Sequence, residues 1–150
     1  MGAIISKKVV AFETWQKALT IHPGYSVYIH YKEGLWNINP GKHGPEMYGP
    51  EGGPVITENP KYPMIGVNEG CLLGRVIFPK NYESNNSLDL LLKDLDEGNN
   101  ENEILMFPIN RDGFLVPKTD FPKTLYLRCN DIDSGIFDNE GELVMELEIW

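Results

Sequence analysis

Between Asn130 and Gly141 the chain concentrates hard oxygen donors in one short stretch, Asn130-Asp131-Ile132-Asp133-Ser134-Gly135-Ile136-Phe137-Asp138-Asn139-Glu140-Gly141. Carboxylates crowded this closely repel one another. A hard cation such as calcium, which accepts about six to eight oxygens in a flexible shell, relieves that repulsion. Asp131, Asp138 and Asn139 can supply side-chain oxygens, and a bend at Ser134-Gly135 can turn a carbonyl inward. The EF-hand spacing fits Asp131, Asp133, Gly135, Asn139 and Glu142, but the position that needs glycine holds Ile136, and the flanks read as strands rather than helices. The same residues are also compatible with an acidic, solvated hairpin connection that binds nothing.

The elements that must hold this stretch are strands. Leu143, Met145, Leu147 and Ile149 alternate with Val144, Glu146 and Glu148, which predicts a half-buried final strand. Upstream, Tyr25, Val27, Ile29 and Tyr31 share one face of a second strand that follows the turn His22-Pro23-Gly24. Further strands are expected over Ala3–Phe12, Trp15–Ile21, within Ile65–Phe78, and over Ile104–Ile109, Gly113–Val116 and Leu125–Cys129. Leu88, Leu91, Leu92 and Leu95 recur at helical spacing between Ser87 and Gly98, which predicts a short helix near 87–97. Residues 34–63 carry little periodicity and many Gly-Pro turns. A segment this irregular is uncommon in a compact domain unless it is functional or loosely ordered.

The 150 residues are enough for one domain, 1–150, with a core of its own, and the scattered 11 prolines and 15 glycines favour an all-β fold. With 13 Lys+Arg against 22 Asp+Glu the net charge is −9, which argues against a grip on nucleic acid. Cys71 and Cys129 lack the spacing of a metal or redox motif and read as buried free thiols. No segment approaches membrane-spanning length, so no membrane insertion is expected. No secretory signal is evident, which predicts a soluble protein synthesised in the cytoplasm and leaves action outside the cell open. His22, His30 and His43 are too dispersed for a zinc site, and no nucleophile elbow, phosphate loop or dinucleotide fingerprint is present. The expectation is therefore a protein that is not an enzyme. Trp36, Tyr48 and Tyr62 can either stack on sugar rings or pack the end of a sandwich.

Three blocks together resemble the small calcium-dependent, galactose-binding bacterial lectins of the PA-IL type. They are the turn and strand from Pro23-Gly24 to Tyr31, the segment ending Tyr48-Gly49-Pro50-Glu51-Gly52, and Asn130-Asp131-Ile132 followed by Asp138-Asn139-Glu140-Gly141. Phe107-Pro108-Ile109-Asn110 is a weaker echo, and residues 81–103 look like an insertion. The resemblance implies a jelly-roll-like β-sandwich of two antiparallel sheets, a calcium ion at its rim, and a homo-oligomer. It implies calcium ligands at Asn39, Asp131, Gly135, Asp138 and Asn139, with Asn39 and Gly135 acting through their carbonyls. A terminal galactose-like sugar would then lie against Asp131, Ile132, Asp138 and Asn139.

Two departures from the family pattern bear on specificity. Asp138 stands where the family has asparagine, which adds charge and removes an amide donor. The histidine and glutamine that grip the sugar's primary hydroxyl are missing from Val55 to Gly66, and Lys61 and His43 are the nearest substitutes. A different expectation follows from those losses, namely a β-sandwich protein-interaction module that has lost sugar binding.

Overall fold

A computed structural model describes residues 2–38, 44–79 and 102–150. The strands are β1 (Ala3–Val10), β2 (Gln16–Ile21), β3 (Val27–Asn37), β4 (Leu72–Pro79), β5 (Asn102–Ile109), β6 (Phe114–Val116), β7 (Lys123–Cys129) and β8 (Glu140–Ile149), with a 3-10 helix at Asp133–Asp138. They form two antiparallel four-stranded sheets, ordered β1-β8-β3-β6 and β2-β7-β4-β5. Consecutive strands lie on opposite sheets except β4 and β5, which pair with each other, so the chain otherwise passes back and forth between the sheets. This is the strand order of a jelly roll, an all-β sandwich. The helix expected near 87–97 lies outside the described residues.

Strand alternation builds the core. On β8, Leu143, Met145 and Leu147 are fully buried, and their cross-strand partners on β1 are Val9, Lys7 and Ile5. On the other side Ile29 opposes Leu147, and Gly34 opposes Leu143. Each fully buried aliphatic side chain contributes about 2 kcal/mol through lost water contact. From the facing sheet come Leu72, Val76, Leu125, Leu127 and Cys129, all within the same core. Tyr25, expected on the inner face of β3, precedes that strand and is half exposed, because the turn at Gly24 releases it to solvent. The apolar run from Ile65 begins pairing in a named strand only at Leu72, and Ile65 itself is exposed.

Both cysteines are free and buried, as their spacing suggests. Trp36 is wholly buried, and its indole Nε1 donates to the Gly70 carbonyl at 2.8 Å. It packs the sandwich end and cannot serve as a sugar platform. Among the described residues no helix is long and apolar enough to cross a membrane.

Candidate functional site

The oxygen-rich stretch is not a hairpin. β7 and β8 belong to different sheets, so residues 130–139 carry the chain across the end of the sandwich. The 3-10 helix makes this crossing, with Ile136 buried beneath it and Phe137 exposed above. Its geometry separates the acids by environment. Asp131 is 5% exposed and Asn139 3% exposed, whereas Asp133 and Asp138 face solvent.

Asp131 is held on several sides. Its Oδ1 accepts the Ile132 backbone N–H at 2.8 Å, and its Oδ2 accepts from Asn139 Nδ2 at 2.9 Å. Asn139 Nδ2 also donates to the Ala11 carbonyl at 3.1 Å, so what this side chain can offer a cation is its amide oxygen. Behind Asp131, the buried Arg128 donates from Nη2 to the Asp131 carbonyl at 2.8 Å, from Nε to the Cys129 carbonyl at 3.0 Å, and from Nη1 to the Asp133 carboxylate at 2.8 Å. Trp15 lies against the Arg128 guanidinium, its ring centroid 5.5 Å away. The preceding Asn130 joins this crossing to the 54–70 loop: its Nδ2 donates to the carbonyls of Met64 at 3.1 Å and Asn68 at 3.2 Å.

Between the crossing and that loop lies a cavity of about 430 Å³, within the size range of small-molecule sites. Asp131, Ile132, Gly135 and Asp138 line one wall, and Tyr62 and Glu69 line the other. Glu58 adds a fourth acid, and no Lys, Arg or His is among the lining residues. Burial, together with the charges of Glu69 and Asp138, raises the Asp131 pKa above the ordinary aspartate value, against the opposing hydrogen bonds from Asn139 and Ile132. Burial likewise raises the Tyr62 phenol, whose hydroxyl donates to Glu69 Oε2 and which also feels the charges of Glu69 and Asp131.

Three of the five expected calcium ligands, Asp131, Gly135 and Asp138, therefore line one cavity. Asn139 stands directly behind Asp131, while Asn39 and His43 lie outside the described residues. Lys61 is exposed on the loop, its backbone N–H bonded to Asn59 Oδ1 at 3.0 Å, and is not among the wall residues. Among the described residues no group of three or more His, Cys, Asp or Glu is placed to hold a metal alone. An ion here needs amide and carbonyl oxygens as well. The available donors are all hard oxygens in a cavity lined by four acids, and that chemistry fits calcium. Arg128, Trp15 and Glu69 were not evident as site residues from sequence: Trp15 and Glu69 come to the crossing from distant segments, and Arg128, though adjacent, sits on a strand with no local sign of its partners.

No protein-family model matches the chain, and no curated protein matches it.

Proposed function

We propose that this protein is a calcium-dependent, non-catalytic lectin that holds a terminal galactose-like sugar at the cavity between the 131–139 crossing and the 54–70 loop. The observation that carries the reading is the placement of Asp131: buried, fixed by Asn139 and Ile132, and exposed on one side to an acidic cavity shared with Gly135 and Asp138. Calcium bound there would supply coordination positions for adjacent sugar hydroxyls, which are hard neutral oxygens. Asp131 and Asp138 would hold the ion through carboxylate oxygens, Asn139 through its amide oxygen, and Gly135 and Asn39 through carbonyls. The same carboxylates can accept hydroxyl protons from the sugar. Tyr62 and Glu69 stand across the cavity and offer a phenol and a carboxylate to the remaining hydroxyls, on the wall where histidine and glutamine are missing. A shallow single site of this kind gains avidity in a homo-oligomer.

Isothermal titration with galactose and other monosaccharides, with calcium and with EDTA, tests the reading. Sugar binding that appears with calcium and vanishes on chelation and in Asp131→Ala supports it, and binding indifferent to EDTA defeats it. Calcium binding with no response to any sugar selects the interaction module instead.

A further inference from the structure

At the other end of β7 lies a second cavity whose chemistry is opposite to that of the acidic one. It measures about 200 Å³ and lies between the sheets where β5 and β6 are the terminal strands. Its walls are phenyl rings. Phe107 and Phe114 stack with centroids 3.9 Å apart, and Phe78 and Phe121 pair at 5.1 Å. Leu105, 57% exposed, stands at the mouth.

One charged group reaches this apolar space. Lys123 opens β7 and is 2% exposed, and it lines the cavity with the phenylalanines. Its Nζ donates to the Pro117 carbonyl at 2.6 Å and to Thr119 Oγ1 at 2.9 Å. Both acceptors are neutral, and an ammonium has three protons to donate. The Phe121 ring lies 5.9 Å from Nζ and adds only a weak attraction. Burial lowers the Lys123 pKa, with no carboxylate opposing the shift. Among the described residues this buried ammonium is held only by neutral oxygens and is under-compensated, since buried charges are ordinarily paired.

The two bonds to the 117–119 segment have a plain structural use, which is to fasten that turn to β7. They do not account for the missing counter-charge, nor for the ring-lined space in front of it. An apolar cavity of about 150 Å³ is already large enough to admit a benzene ring. We propose that this cavity is a ligand site for a small aromatic monocarboxylate, its ring among the phenylalanines and its carboxylate on Lys123 Nζ. The site is independent of the lectin reading and of calcium.

The test is a titration of isotope-labelled protein in EDTA, followed by amide chemical shifts, with phenylacetate and with 2-phenylethanol as the uncharged comparator. Phenylacetate should shift amides around 105–107 and 114–123 saturably, and should bind roughly tenfold more tightly than the alcohol, as expected for one gained ionic hydrogen bond. Lys123→Met should abolish the preference, and Leu105→Trp at the mouth should weaken both ligands while leaving Lys123 in place. If Lys123→Met does not fold, the two ligands on the unaltered chain and Leu105→Trp still decide the matter. Equal affinity for acid and alcohol, shifts mapping elsewhere, or no saturation at tens of millimolar (a concentration where any affinity would be negligible) overturns the proposal.

Discussion

The Arg128 guanidinium donates to the backbone carbonyl of Asp131 at 2.8 Å, while the Asp131 side chain lines the acidic cavity. A buried cation thus fixes the main chain of the residue whose carboxylate the proposed function depends on. Its partner Asp133, whose side chain is 71% exposed, is drawn away from the cavity by the same guanidinium. The two ends of this ion pair should differ sharply in their contribution to stability. Arg128→Met takes the guanidinium donor from the Asp131 carbonyl, leaves the Cys129 carbonyl with only the Asp131 backbone N–H, and should cost about 3 kcal/mol. Asp133→Asn should cost less than about 1 kcal/mol, because that carboxylate is largely solvated. Urea unfolding of both variants in EDTA measures the difference.

Asn139 bridges Ala11 and Asp131 with one amide nitrogen, in a buried setting. Asn139→Ala removes that donor from both oxygens, and the loss should be about 1–3 kcal/mol in metal-free protein. Calcium affinity should fall as well, since Asp131 loses the contact that orients it. Unfolding in EDTA, paired with calcium titration of the folded variant, separates the two effects. A variant with full calcium affinity would show that Asn139 is only structural.

Two glycines near the crossing should respond in opposite ways to alanine. Gly135 is not in the left-handed region, and nothing lies within 4 Å of where its Cβ would be. Gly135→Ala should therefore be neutral within about 0.5 kcal/mol and keep its carbonyl, hence calcium binding. Gly141 has φ 93, and a Cβ there would lie 2.5 Å from the Leu35 carbonyl oxygen. Gly141→Ala should cost about 1–3 kcal/mol from backbone strain alone. Thermal unfolding of both variants tests the contrast.

The thiols set an alkaline limit. Burial pushes Cys71 up to about 12 and Cys129 well above the ordinary 9.0. The folded chain then keeps protons that the unfolded chain releases, so this contribution is fully present below pH 9 and is lost as pH rises toward 12. Each thiol contributes a slope of up to about 1.4 kcal/mol per pH unit. Lys123 acts with the opposite sign: burial lowers its pKa from 10.5, so stability is regained as pH climbs from that lowered value toward 10.5. Two thiols outweigh one ammonium, and urea midpoints should drop between pH 8 and pH 10. The drop should be smaller in Cys71→Ser, and neither thiol should react with a disulfide reagent at pH 8 until the chain unfolds.

The alternation of Leu143, Met145, Leu147 and Ile149 was enough to predict β8 and its inner face, because a side-chain period of two translates directly into burial. The acids of the crossing were equally visible. Their sorting into buried Asp131 and solvated Asp133 was not, since it depends on Arg128, which sits on a strand among apolar residues and gives no local sign of reaching two carbonyls and a carboxylate. Trp36 was ambiguous for a related reason. Its burial is decided by Gly70, which is far along the chain and accepts its indole proton. Glu69 carries no local sign of its place in the cavity wall, where its carboxylate accepts from Tyr62.

β8 follows every other strand in the chain yet lies between β1 and β3 in its sheet. During synthesis, β1 and β3 have no neighbour joining them until β8 has cleared the ribosome, and contacts this distant in sequence close slowly. Ile4 and Ile5 on β1 therefore stay open to unwanted pairing until β8 has emerged. Asn139, which holds Asp131 in place, directly precedes β8, so the order of the acidic cavity's wall is tied to the pairing of that late strand.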